Sequence, residues 1–151
     1  MSSFHTAREF AFSASQVYAA FAAPERLARW WGPAGFSNRF EHCEFVPGGR
    51  WRFVMIGPDG HEYPNESRFA ELITNELIVI DHVVAPMFRL TVRLTALPDD
   101  PGHCRLDWEQ AFADAAVAEQ VRHIVVPANE QNLDRLGAEL ARGLNQGLQT
   151  D

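Results

Sequence analysis

The stretch from Gly48 to Pro64 limits what this chain can fold into more than any other. It reads Gly-Gly-Arg-Trp-Arg-Phe-Val-Met-Ile, then Gly57-Pro58-Asp59-Gly60, then His-Glu-Tyr-Pro. Pro58 presets the backbone angle of a turn position, and Gly60 is free to take the left-handed conformation that leads back into a strand. The stretch is therefore a hairpin. Alternation along its first strand puts Trp51, Phe53 and Met55 on one face and Arg50 and Arg52 on the other. Such an apolar face has to be covered by another part of the chain.

The C-terminal part offers a cover. Leu133, Leu136, Leu140, Leu144 and Leu148 step by three and then by four, the pattern of an amphipathic helix. Over about twenty residues it would run roughly 30 Å, enough to cross the dry face of a sheet. Upstream, Asp114 is suited to cap a segment in which Val117, Val121, Ile124 and Val125 recur at helical spacing, and Pro127 is expected to kink it or begin a new helix. At the other end, residues 4–12 read as a strand. Ser13 with Gln16 has the form of a capping box, opening a short helix striped by Val17 and Phe21. Pro24 opens a second short helix, with Leu27 and Trp30 or Trp31 on its apolar side, and Gly32-Pro33 ends it.

Between these ends the pattern is strands and turns. Strands are predicted at 38–45, 50–56, 61–73, 77–84, 87–97 and 104–112, punctuated by Pro47-Gly48-Gly49, Gly57 to Gly60, Asn75-Glu76, Ala85-Pro86 and Asp99 to Gly102. Short connections favour an antiparallel meander. Phe88, Leu90, Val92 and Leu94 oppose Arg89, Thr91 and Arg93, so one face of the sheet is dry and the other wet. The order is one strand, two short helices, six strands and a long helix, an α+β arrangement expected to form one domain over residues 1–151.

Charge narrows the partners. The formal net charge is −7, and all 13 basic residues are arginine. A negative chain without a basic run lacks the footprint that binds a phosphate backbone, so neither nucleic acid nor an anionic membrane surface is expected as a partner. The absence of lysine removes Schiff-base chemistry. No stretch approaches the ~20 apolar residues of a membrane span, and no basic region with an apolar run opens the chain, so a cytoplasmic location is expected. Cys43 and Cys104 have no Cys-x-x-Cys spacing and read as free thiols.

The segment from Pro47 to Met55, with Gly57-Pro58-Asp59-Gly60, Tyr63-Pro64 and the preceding Trp30-Trp31-Gly32-Pro33, resembles the stand-alone AHSA-type proteins. These are homologues of the C-terminal domain of the activator of heat-shock-protein ATPase, within the START-like helix-grip (SRPBCC) superfamily. The resemblance runs from about Phe4 to Leu148. It implies a helix-grip fold, a curved antiparallel sheet wrapped around the long C-terminal helix with an internal cavity. It also implies a small hydrophobic or amphipathic molecule as the partner. It carries over no catalytic residue set. In cochaperone homologues the domain accompanies an N-terminal module that engages the chaperone; this chain has no room for one, which argues against direct chaperone activation. The sequence leaves the oligomeric state open, a homodimer included.

The cavity wall follows from strand alternation. Trp51, Phe53 and Met55 face inward. Tyr63, Asn65 and Ser67 alternate with Pro64, Glu66 and Arg68, and a one-residue bulge in that strand would exchange the two sets. His82 is in phase with Ile78 and Ile80, and Gln110 with Leu106 and Trp108. With Leu133 and Leu136 from the helix, these make a mostly apolar pocket with a few convergent polar groups, the indole nitrogens of Trp51 and Trp108 among them. Ligand binding is the first expectation. A cyclase- or hydrolase-type enzyme using His82 and Tyr63 on a carbonyl-bearing ligand is the second, and a chaperone-linked interaction module the third. His82 lacks an identifiable orienting carboxylate. No metal site is expected, since His42 and Glu44 share a strand face without a third ligand. No cofactor motif is present either: there is no Gly-x-Ser-x-Gly elbow, and Gly48-Gly49 precedes a strand and not a helix.

Overall fold

A computed structural model describes residues 2–149, with side chains from 2 to 143. Its elements run β1 (Ser2–Phe10), α1 (Ala14–Ala22), α2 (Pro24–Trp30), β2 (Ser37–Cys43), β3 (Arg50–Ile56), β4 (Glu62–Ile73), β5 (Leu77–His82), β6 (Phe88–Leu97), β7 (Asp100–Phe112) and α3 (Ala115–Gln149). The seven strands form one curved antiparallel sheet in the order β1-β7-β6-β5-β4-β3-β2. The predicted order of elements holds. β7 begins four residues earlier than predicted, because the β6–β7 turn closes at Pro98-Asp99 with Leu97 paired to Asp100. β2 and β5 each end two residues early.

Local chemistry accounts for the boundaries. Ser13 and Gln16 form a reciprocal capping box at the start of α1, which satisfies two of the amide groups a helix start leaves unpaired. The β3–β4 turn is closed by hydrogen bonds from Gly57 N to His61 O and from Gly60 N to Gly57 O, with Gly60 at φ 86°. β4 does contain a bulge, but it lies between Phe69 and Glu71. It follows Ser67, so Asn65, Ser67 and Phe69 keep the inward phase; beyond it the inward position passes to Leu72.

Two of the sequence expectations about the long helix change. Of the two alternatives predicted at Pro127, a kink or a fresh start, the fresh start does not occur: the helix is one continuous element with Pro127 inside it. Proline removes the hydrogen bond to the carbonyl four residues earlier. Both Pro127 and His123 are exposed, so water reaches the carbonyl left unpaired. At 35 residues the helix is roughly 50 Å long. Leu133, Leu136 and Leu140 are buried; Leu144 and Leu148 lie outside the described side chains.

The second change concerns what the helix covers. α3 packs on β1, β7, α1 and α2, and its backbone does not approach β3 or β4. The hairpin face is covered instead by aromatic rings from the loop after α2 and from β2. The Trp31 ring centroid lies 4.9 Å from Trp51, and Phe40 lies 5.5 Å from Trp51. Trp51 itself is stacked between Phe53 and Phe69. The main core continues through Val17, Phe21, Leu27, Trp30, Ile78, Leu106 and Leu133. A second, smaller cluster joins Phe4, Phe112 and Ala118, with Val117, Val121 and Val125 packed on it. Ile124, predicted to share that stripe, is 59% exposed.

Candidate functional site

Because α3 leans on the β1–β7 side and the aromatic loop covers the β2–β3 side, a gap remains between them. It is a cavity of about 600 Å³, within the ~300–1,000 Å³ of small-molecule sites. Its floor is the inner sheet face, with Phe53, Met55, Ser67, Ile80, Leu90 and Trp108. One wall is the loop carrying Trp31, Gly32, Pro33 and Phe36. The opposite wall is α3, through Ile124, Ala128, Asn129 and Asn132, and the rim includes Tyr63, Pro86 and Phe88.

The loop wall is held in place by side chains that bond its backbone. Asn38 Nδ2 donates to the carbonyls of Ala28 and Trp31 at 3.0 and 2.9 Å. Asn132 Nδ2 donates to Trp30 O at 3.0 Å. Arg135 donates to the carbonyls of Arg29, Trp31, Gly32 and Pro33 at 2.8 to 3.1 Å, and burial lowers its pKa from the usual arginine value. These bonds satisfy the carbonyls that the end of α2 leaves free. Gly32, at φ 96°, makes the turn; a Cβ there would sit 2.7 Å from Met55 Cε. Trp31 is thereby held between Trp51 and Trp108.

Of the residues expected at the site, Phe53, Met55, Tyr63, Ser67, His82, Trp108 and Gln110 line the cavity. Trp51, Leu133 and Leu136 do not; each is fully buried in the core beside it. Alternation and helical phase distinguish inside from outside, but both core and cavity wall lie inside. The indole nitrogens also differ from expectation. Those of Trp51 and Trp108 are shut off and without a hydrogen-bond partner among the described residues, packed among aromatic rings, and so are not presented to a ligand.

His82 is tied into the protein. Its Nδ1 lies 2.8 Å from Pro86 O, its Nε2 lies 2.8 Å from Asn65 Oδ1, and its ring stacks on Phe88. Asn65 Nδ2 in turn donates to Tyr63 O at 2.8 Å. The histidine therefore links the loop after β5 to β4, and as placed it offers neither nitrogen to a bound molecule. Tyr63 is 44% exposed and stands at the mouth, against His61 and Phe36.

The polar groups that sequence reasoning missed come from α3. Asn129 and Asn132 are spaced i, i+3 on the helix face that also carries Leu133 and Leu136. Asparagine within a leucine stripe was the available signal. Asn129 Nδ2 donates to Gln110 Oε1 at 3.2 Å, joining the helix wall to the floor. No Asp, Glu or Arg side chain lines the described wall. Elsewhere, His42 Nε2 lies 2.9 Å from Glu44 Oε1, and among the described residues no three His, Cys, Asp or Glu side chains group as metal ligands would.

Comparison with known proteins locates the chain. The family described as Activator of Hsp90 ATPase homolog 1-like protein matches residues 11–141. No curated protein matches the sequence. Among solved structures, a protein from Arthrobacter aurescens is 23% identical with a TM-score of 0.83, covering 93% of this chain and 86% of its own. A protein from Chromobacterium violaceum is 22% identical with a TM-score of 0.78, covering 91% and 96%. A protein called AHSA1 from Silicibacter pomeroyi is 18% identical with a TM-score of 0.74, covering 94% and 99%. At these identities the structures share the helix-grip fold.

Proposed function

The chain belongs to the activator of Hsp90 ATPase homolog 1-like family, and on that basis we propose that it binds a small hydrophobic or amphipathic molecule in the cavity between sheet and long helix. The observation that carries this reading is the cavity itself, about 600 Å³ of mostly apolar space between sheet and helix, open at one mouth. A concave, mostly apolar space of this size with a few polar groups on its wall has the character of a small-molecule site. The enzyme reading has less support, since His82 has both ring nitrogens engaged.

The test uses N-phenyl-1-naphthylamine, a neutral apolar fluorophore. Its emission should rise and shift to the blue with the wild-type protein. Ala128 lines the cavity from α3 and is half-buried, so Ala128→Trp fills the space without touching the core leucines. Probe affinity should fall at least tenfold while the circular dichroism spectrum is retained. Unchanged binding in the folded variant would remove the cavity as the site. Native mass spectrometry of freshly purified protein tests the proposal from another side, by looking for a copurified molecule, and gives the subunit count as well.

A further inference from the structure

Resting on the reading of the cavity as a ligand site, we propose that its ligand is a neutral molecule whose polar end carries a hydrogen-bond donor beside an acceptor, the edge of a lactam or pyridone. That end sits on Gln110 and Asn129.

The charge follows from the wall. Among its described residues there is no carboxylate and no guanidinium, and His82 turns Nδ1 to Pro86 O and Nε2 to the Asn65 carboxamide, whose O and N ends are interchangeable, so it needs no charge to make both contacts. An ionised ligand would leave water without a counter-charge to meet it, which is strongly unfavourable in an apolar enclosure.

The donor–acceptor edge follows from the carboxamide pair. Gln110 is 8% exposed, and Asn129 reaches it with a single bond, Nδ2 to Oε1 at 3.2 Å. A primary amide has two donors and one carbonyl with two lone pairs. One bond between two amides leaves the NH2 of one and the carbonyl of the other uncommitted to each other. Here these are Gln110 Nε2 and Asn129 Oδ1, and no other hydrogen bond of either is present among the described residues. Reversing both amide assignments exchanges the roles and still leaves one donor and one acceptor. Both residues line the cavity, where a bound molecule can reach these groups. A ligand carbonyl accepting from the glutamine NH2, with its neighbouring N–H donating to the asparagine carbonyl, completes the pairing. The rest of the molecule meets Trp31, Phe53, Phe88 and Trp108, whose faces favour a flat ring.

The experiment compares three probes of one ring size by calorimetry at pH 7.5: 2-quinolone, which is a neutral lactam; N-methyl-2-quinolone, which keeps the acceptor and loses the donor; and quinoline-2-carboxylate, an anion. The wild type should bind 2-quinolone about tenfold more tightly than its N-methyl derivative, and the anion most weakly. In Asn129→Leu and in Gln110→Met the quinolone preference should fall to near one, with the circular dichroism spectrum retained. The inference is overturned if the anion binds best, if the two quinolones bind alike in the wild type, or if either variant keeps the preference. If neither the naphthylamine nor any quinoline compound binds the wild type, the ligand-site reading itself fails and this inference with it.

Discussion

At the level of single residues, Glu139 concentrates the protein's buried charge. Its side chain is 3% exposed, yet it accepts from Arg29 Nε and Nη2 at 2.9 Å each and from Arg26 Nε at 3.0 Å. Burial alone would raise its pKa; the bonds from Arg29 and Arg26 outweigh that and hold it below the usual 4.5. A carboxyl whose folded value lies below its unfolded one contributes stability that is fully present above the unfolded value and is lost as pH falls through the folded one. Urea midpoints measured downward from pH 6 should therefore fall more steeply below about pH 4.5 in the wild type than in Glu139→Gln. Glu139→Ala should cost about 3 kcal/mol at pH 7, since it strands two partly buried guanidinium groups; a loss below about 1 kcal/mol would show that both arginines simply turn to water. This triad was invisible in the sequence. Glu139 lies 110 and 113 residues from its partners, and nothing local distinguishes it from a solvated helix glutamate. Gly49 was half legible in the same sense. It was read as turn punctuation, whereas a Cβ there would lie 1.9 Å from Glu44 O, so what requires glycine is the close approach of the backbone just past the end of β2.

At the level of elements, what the sequence carried well was periodicity. Capping at Ser13, the turn at Gly57–Gly60 and the leucine spacing of α3 all act within a few residues of chain, so their consequences could be read in place. Pro127 could not be read in the same way. Its effect depends on whether the carbonyl it strands faces water or core, and that is decided by how the finished helix is rotated. The exposed setting of Pro127 and His123 makes the helix tolerate it at a cost. Pro127→Ala should restore a backbone bond and raise unfolding stability by about 1–2 kcal/mol, less than the ~3 kcal/mol of an interior proline because the unfolded chain also gains freedom. Chemical denaturation with an unchanged slope checks this. A loss of stability would mean that the helix needs a bend at this point to meet both the small cluster around Phe112 and the main core.

At the level of the whole molecule, the cavity is a consequence of arrangement. Its sheet residues were placed by alternation, but the assignment of Leu133 and Leu136 to its wall assumed that the helix lies directly over the hairpin. It lies instead over β1, β7 and the two short helices, and the rings of Trp31 and Phe36 fill the difference. Sequence patterns say which side chains leave water; they do not say which pairs of buried surfaces fail to meet. A void between surfaces that fail to meet is a place where binding adds the contacts that folding left out, so occupancy should stabilise the fold by mass action. With N-phenyl-1-naphthylamine at about 100 times its dissociation constant, the gain is about 2.7 kcal/mol. For a chain of this length that should raise the thermal midpoint by roughly 5–10 °C. Ala128→Trp supplies the missing contacts from the protein itself. Its midpoint should equal or exceed that of the free wild type and should not move when the probe is added. A wild-type midpoint indifferent to the probe, or a variant that still responds to it, would place the binding surface somewhere other than the space between the sheet and α3.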